Sequence, residues 1–83
     1  MKILYFAWVR ELVGKSEENL DLPDTLKTVF DLISFLAEKG EGYREAFKDP
    51  EKVRVAINQT FVPFTADLKG ATEVAIFPPV TGG

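Results

Sequence analysis

One stretch of the chain has the spacing of a substantial helix, and it limits what the rest can become. Val29, Leu32, Ile33 and Leu36 recur at intervals of three and four, which places them on one helical face. Thr28 followed by Asp31 resembles a capping box with Asp in place of Glu or Gln. Lys39 falls in the expected last turn, and Gly40 reads as the C-terminal stop. Most other apolar stretches read as strands. KILYFAWV, from Lys2 to Val9, is rich in strand formers. Arg10 to Gly14 reads as a turn, and Ser16 to Leu22 as a polar edge strand ended by Pro23. Lys52 to Ile57, the short Phe61-Val62 and Glu73 to Phe77 complete the set, with turns at Asn58-Gln59-Thr60 and around Gly70. Tyr43 to Lys48 reads as one more short helical turn, with Tyr43, Ala46 and Phe47 packing beneath. The order predicts an α+β domain, a mixed sheet of about five strands crossed by one main helix.

A lone helix covers one face of a sheet. Alternation assigns Ile3, Tyr5, Val53, Val55, Ile57, Val74 and Ile76 to the covered face. Leu4, Phe6, Trp8, Ala56, Ala75 and Phe77 then fall on the other, where they would meet water. An apolar cluster of that size on a small domain implies a partner surface.

Composition narrows the chemistry. The 83 residues make one domain, and 46% hydrophobic residues, with seven Phe, suffice for one core. There is no Cys and no His. That excludes disulfides, thiol nucleophiles, Ser–His triads and the usual zinc sites, so no metal site is expected. A net charge of −3 with no basic stripe argues against nucleic acid. No stretch is long enough to span a membrane. The opening residues lack a cleavage pattern, so the expected location is the cytoplasm. Gly14-Lys15-Ser16 resembles the end of a phosphate-binding loop, but Val9 stands where the first Gly belongs and a polar strand follows. Asn58-Gln59-Thr60 fits a glycosylation acceptor and reads better as a turn.

PPVTGG closes the sequence. Pro78 and Pro79 cannot donate ladder hydrogen bonds, so the last strand should stop at Phe77. Adjacent prolines stiffen the exit. Val80 and Thr81 favour extended backbone. Gly82 and Gly83 can thread a narrow channel and leave a terminal carboxylate open to activation as an acyl donor. The chain thus divides into a body, residues 1–77, and a tail, residues 78–83. A frayed end is the ordinary alternative.

ILYFAWVRELVG, VRVAINQTFV and above all EVAIFPPVTGG resemble the small subunit of molybdopterin synthase, the MoaD family of ubiquitin-like sulfur carriers, across essentially the whole chain. Ala71 departs from the acidic residue usual in that family after the Gly. The resemblance implies a β-grasp fold and a carrier that is not catalytic alone and binds no cofactor. It implies that an adenylating, E1-like enzyme uses ATP to activate the carboxylate of Gly83. A sulfur donor protein then converts it to a thiocarboxylate. A large catalytic subunit takes the loaded tail and passes the sulfur to a cyclic pterin, in a heterotetramer. It also implies partner contacts at Phe6, Phe61 and Phe77, with Arg10 at the rim. Carriers for thiazole or amino-acid synthesis, and ubiquitin-like protein modifiers, share the fold and the Gly-Gly end.

Overall fold

The computed structural model describes residues 1–79. Five strands and three α-helices follow in the order β1 (Lys2–Tyr5), α1 (Ala7–Val13), β2 (Glu17–Asn19), α2 (Val29–Ala37), α3 (Glu41–Phe47), β3 (Arg54–Ile57), β4 (Thr60–Val62) and β5 (Glu73–Phe77). A 3₁₀ turn at Pro50–Lys52 leads into β3. The sheet order is β2-β1-β5-β3-β4. β1 and β5 run parallel at its centre, and every other pair is antiparallel.

The main helix starts where its cap says it should. Thr28 Oγ1 accepts from the Asp31 amide at 3.2 Å, and Asp31 Oδ2 accepts from the Thr28 amide at 3.1 Å. The next orphan donors also find partners: the Val29 amide donates to the Ala66 carbonyl and the Phe30 amide to the Phe64 carbonyl. The N-terminal turn is thereby satisfied by its own cap and by the loop between β4 and β5. The Lys27 and Thr28 amides together hold the Asp31 carboxyl below its ordinary value. The predicted stop is different. α2 ends at Ala37 with Glu38 as its cap, and Gly40 is extended, at φ 170°, capping the start of α3 instead.

The first strand is shorter than its composition suggests. It ends at Tyr5, the backbone turns at Ala7 with φ 54°, and residues 7–13 form a helix. Two features explain this. Val9 and Val13 lie one helical turn apart and pack on the core side. Gly14 takes the left-handed cap at φ 89°, its amide donating to the Arg10 carbonyl at 2.8 Å. What reads as a turn at Arg10 to Gly14 is therefore the end of that helix and its cap. α1 then packs on α3 so closely that a Cβ at Gly42 would collide with the Leu12 carbonyl. The second strand is likewise reduced to Glu17–Asn19.

The helices cover one face of the sheet. Ile3, Tyr5, Val53, Val55, Val74 and Ile76 are buried there against Val29, Leu32, Ile33, Leu36, Tyr43, Ala46 and Phe47. Ile57 is half-buried. Alternation placed this set correctly, and Tyr43, Ala46 and Phe47 pack beneath as expected. Asn58 and Gln59, both at positive φ, make the two-residue turn between β3 and β4. Asn58 Oδ1 accepts from the amides of Thr72 and Glu73, both at 3.0 Å, so it fastens that turn to the start of β5. The would-be glycosylation acceptor is a structural residue here.

Candidate partner face and tail root

The uncovered face is built from alternate residues of adjacent strands. Pairing register aligns Leu4 with Ala75, Ala75 with Ala56 and Ala56 with Phe61, a row crossing the sheet from β1 to β4. One step nearer the end of β5, Phe77 lies opposite Arg54. Phe6 continues the alternation just beyond β1, its amide donating to the Ile76 carbonyl at 3.1 Å.

The aromatic side chains complete the surface. The Phe61 and Phe77 ring centres are 5.3 Å apart with planes tilted by 40°. β4 and β5 are separated by β3. Strands two places apart are about 9.5 Å apart, so the two rings lean toward each other over β3, where Ala56 presents only a methyl. This accounts for one correction. Ala56, expected in the open, is 5% exposed. Phe61 is 74% and Phe6 45% exposed. Leu4, Ala75 and Phe77 are half-buried. Arg54 folds back on its own backbone, Nη1 donating to the carbonyls of Glu51 and Val53.

Trp8 is a second correction. Alternation along a long strand places it on the open face, but the turn at Ala7 puts it on α1. There it packs on the core edge and lines two adjoining clefts. One, of about 390 Å³, is shared with Glu51, Lys52, Pro78 and Pro79 at the root of the tail. Arg10 is exposed on the same helix and forms no ion pair with another described residue. Pro78 and Pro79 are half-buried, and β5 ends at Phe77 as their missing donors require. Val80, Thr81, Gly82 and Gly83 lie outside the described residues.

Two exposed apolar residues were not anticipated. Phe30 on α2 is 52% and Leu12 on α1 39% exposed. Phe30 lies one position off the Val29–Leu36 stripe, which was signal enough to find it. Leu12 could be placed only once α1 was known to be a helix. Among the described residues no group of His, Cys, Asp or Glu is arranged to hold a metal ion. No described helix is long and apolar enough to cross a membrane.

A five-stranded mixed sheet, crossed on one side by α2 and open on the other, with its last strand central, is the β-grasp architecture of ubiquitin-like proteins. Residues 3–83 match the ThiS family, and the chain belongs to it. It is 44% identical to the molybdopterin synthase sulfur carrier subunit of Escherichia coli and 40% identical to that of Haemophilus influenzae, in each case over 100% of this chain and 99% of the relative. Among solved structures it resembles SAMP1 from Haloferax volcanii, with TM-score 0.71 and 25% identity over 100% of this chain and 98% of the other. It also resembles a putative molybdopterin converting factor subunit 1 from Pyrococcus furiosus, with TM-score 0.68 and 28% identity over 95% of each chain.

Proposed function

We propose that the protein is the sulfur carrier subunit of a molybdopterin synthase. The observation that carries this reading is the end-to-end similarity to relatives that bear that name. The aromatic face beside the tail root supports it, because a carrier must be gripped by the enzymes that work on its end.

In this reading residues 1–77 are the handle and residues 78–83 the working tail. An oxygen of the Gly83 carboxylate attacks the α-phosphorus of ATP, and pyrophosphate leaves. A poor electrophile has become an acyl adenylate. The terminal sulfur of a persulfide on a donor protein adds to the acyl carbon and expels AMP, and a second donor thiol cleaves the resulting acyl disulfide, leaving the thiocarboxylate and a donor disulfide. The large catalytic subunit then accepts the tail, and the thiocarboxylate sulfur attacks a side-chain carbon of the cyclic pterin monophosphate, whose carbon–oxygen bond breaks with the oxygen as leaving group. Hydrolysis of the acyl bond returns the carboxylate and leaves the sulfur on the pterin. Gly82, with no side chain, suits a narrow channel, and the β-branched Val80 and Thr81 are residue types that favour extended backbone. Phe6, Phe61, Phe77 and Leu4 contribute contact area on the open face, with Trp8 and Arg10 beside the root. ATP is spent by the activating enzyme, the carrier binds no cofactor of its own, and the cycle belongs in the cytoplasm. Two carriers on a dimer of large subunits make the heterotetramer.

Intact mass after incubation with an activating enzyme, ATP and a sulfur source tests the first half. Exchange of one oxygen for sulfur is expected, and an unchanged mass overturns the reading. Addition of the large subunit and the pterin precursor tests the second half. A thiocarboxylate that yields no molybdopterin belongs to a different sulfur pathway. The Gly82-Gly83 end, shared by ubiquitin-like protein modifiers, favours one other reading, a protein modifier. Lysine-linked conjugates in place of sulfur exchange would select it.

A further inference from the structure

β2 is an edge strand without a hydrophobic anchor. Its three residues, Glu17, Glu18 and Asn19, carry no apolar side chain, and Glu17 and Asn19 are exposed. The Lys2–Glu17 ion pair on the open side, at 3.8 Å, is exposed and holds little. Glu18 differs. It sits opposite Ile3 with its side chain 11% exposed. Its Oε2 accepts from the hydroxyl of Tyr5 on β1 at 2.7 Å and from that of Tyr43 on α3 at 2.6 Å. Its Oε1 lies 3.4 Å from the Lys15 ammonium, in the loop before β2. The two tyrosine rings meet edge to face, 6.2 Å between centres. The Lys39 ammonium lies 5.5 Å from the centre of the Tyr43 ring. One carboxylate therefore joins an edge strand, its neighbour and a helix.

We propose that the Tyr5–Glu18–Tyr43 bridge is an acid-sensitive latch: ionised Glu18 keeps β2 seated on β1 and against α3, and its protonation frees β2 while the rest of the sheet stays folded. Phenol donors hold a carboxylate strongly because the acceptor is charged. A neutral carboxyl accepts weakly and must place its own proton among two other donors. The electrostatics agree. Burial pushes the Glu18 carboxyl up, but the Tyr43 and Tyr5 hydroxyls and then Lys15 outweigh it, so it lies below its ordinary value. Burial, with Glu18 beside them, pushes both phenols up, and Tyr43 with Glu18 pushes Lys15 up. On acidification Glu18 is thus the member of this hydrogen-bonded set that changes charge. A carboxyl held low when folded stabilises above its unfolded value, and that contribution is lost as pH falls through the folded one. The latch lies at the opposite edge of the sheet from Phe61 and does not rest on the carrier reading.

Amide hydrogen exchange on the full chain, normalised to intrinsic rates, tests the proposal. The Tyr5 amide donates to the Ser16 carbonyl and the Leu20 amide to the Met1 carbonyl, so both report on β2. The Phe6 and Asn58 amides, bonded to Ile76 and Glu73, report on the centre of the sheet. Taking the wild type from neutral pH to below the ordinary Glu range is expected to cut protection at Tyr5 and Leu20 by about tenfold or more. Phe6 and Asn58 should hold. Glu18→Gln should show low protection at Tyr5 and Leu20 at neutral pH and no further acid loss. Tyr43→Phe should fall between and keep the pH dependence. Simultaneous loss at all four amides of the wild type would overturn the latch, whether or not the variants fold. So would an acid dependence that survives in Glu18→Gln.

Discussion

The two faces of the sheet carry side chains of similar apolar character and have opposite fates. On the covered face Ile3, Val55, Val74 and Ile76 are sealed by three helices and are at most 1% exposed. On the open face Leu4, Ala75 and Phe77 come from two of the same strands and Phe61 from β4, and none of the four is fully buried. Hydrophobicity alone therefore does not assign a residue to the interior. The number of layers does, and this chain has helices enough for one side. The covered face specifies the fold, and the open face is left without a covering layer.

Removing the reactive end should separate body from tail most completely. A chain lacking Gly83 is expected to fold with an unchanged melting curve and to lose sulfur transfer altogether. Retained molybdopterin synthesis would refute the carrier mechanism. Next is a cut into the covered face. Leu32→Ala leaves a cavity beneath fully buried neighbours and should cost about 3 kcal/mol of stability in urea denaturation. A loss below about 1 kcal/mol would mean that the core collapses around the gap. On the open face Phe77→Ala should weaken binding to the large subunit by about 2 kcal/mol in calorimetry and cost less than that in stability. The reverse order would make Phe77 a fold residue and blur the contrast. Thr28→Ala removes the cap that starts α2 and should cost about 1 kcal/mol. The acid side of that cap has a sign. Asp31 is held low when folded, so its contribution is present above the ordinary Asp value and fades as pH falls through the folded one. Asp31→Asn should flatten that part of the pH–stability curve. Phe30→Ser, on the outside of α2, should change stability by no more than about 0.5 kcal/mol. Partner binding should be unaffected, because Phe30 lies on the helix layer, away from the open face.

Alternation made the covered face legible in the sequence because burial enforces it: shifting a strand by one residue would expose every member of the set. The capping box was equally plain, since Thr28 and Asp31 bond within one turn. The failures lie where the cause is not local. Tyr5, Phe6, Trp8 and Val9 are strand formers, and no neighbour in sequence announces a left-handed Ala7 or a helix that packs on Gly42. Ala56 was assigned by parity to the open, but a ring from β4 leans over it. Gly40 carries the residue type of a stop, and the chain uses it to begin the next helix. At the partner face Phe6 and Phe77 followed from strand parity, whereas Phe61 required family resemblance, because its strand is three residues long.

β5 occupies the middle of the sheet, parallel to β1 and antiparallel to β3. The strand furthest along the chain among those described is thus the one that joins the two earlier halves. Until residues 73–77 are free to pair, the polypeptide holds two separate ribbons and a helix with little to rest on. Completion of the sheet thereby waits for the segment furthest along the chain.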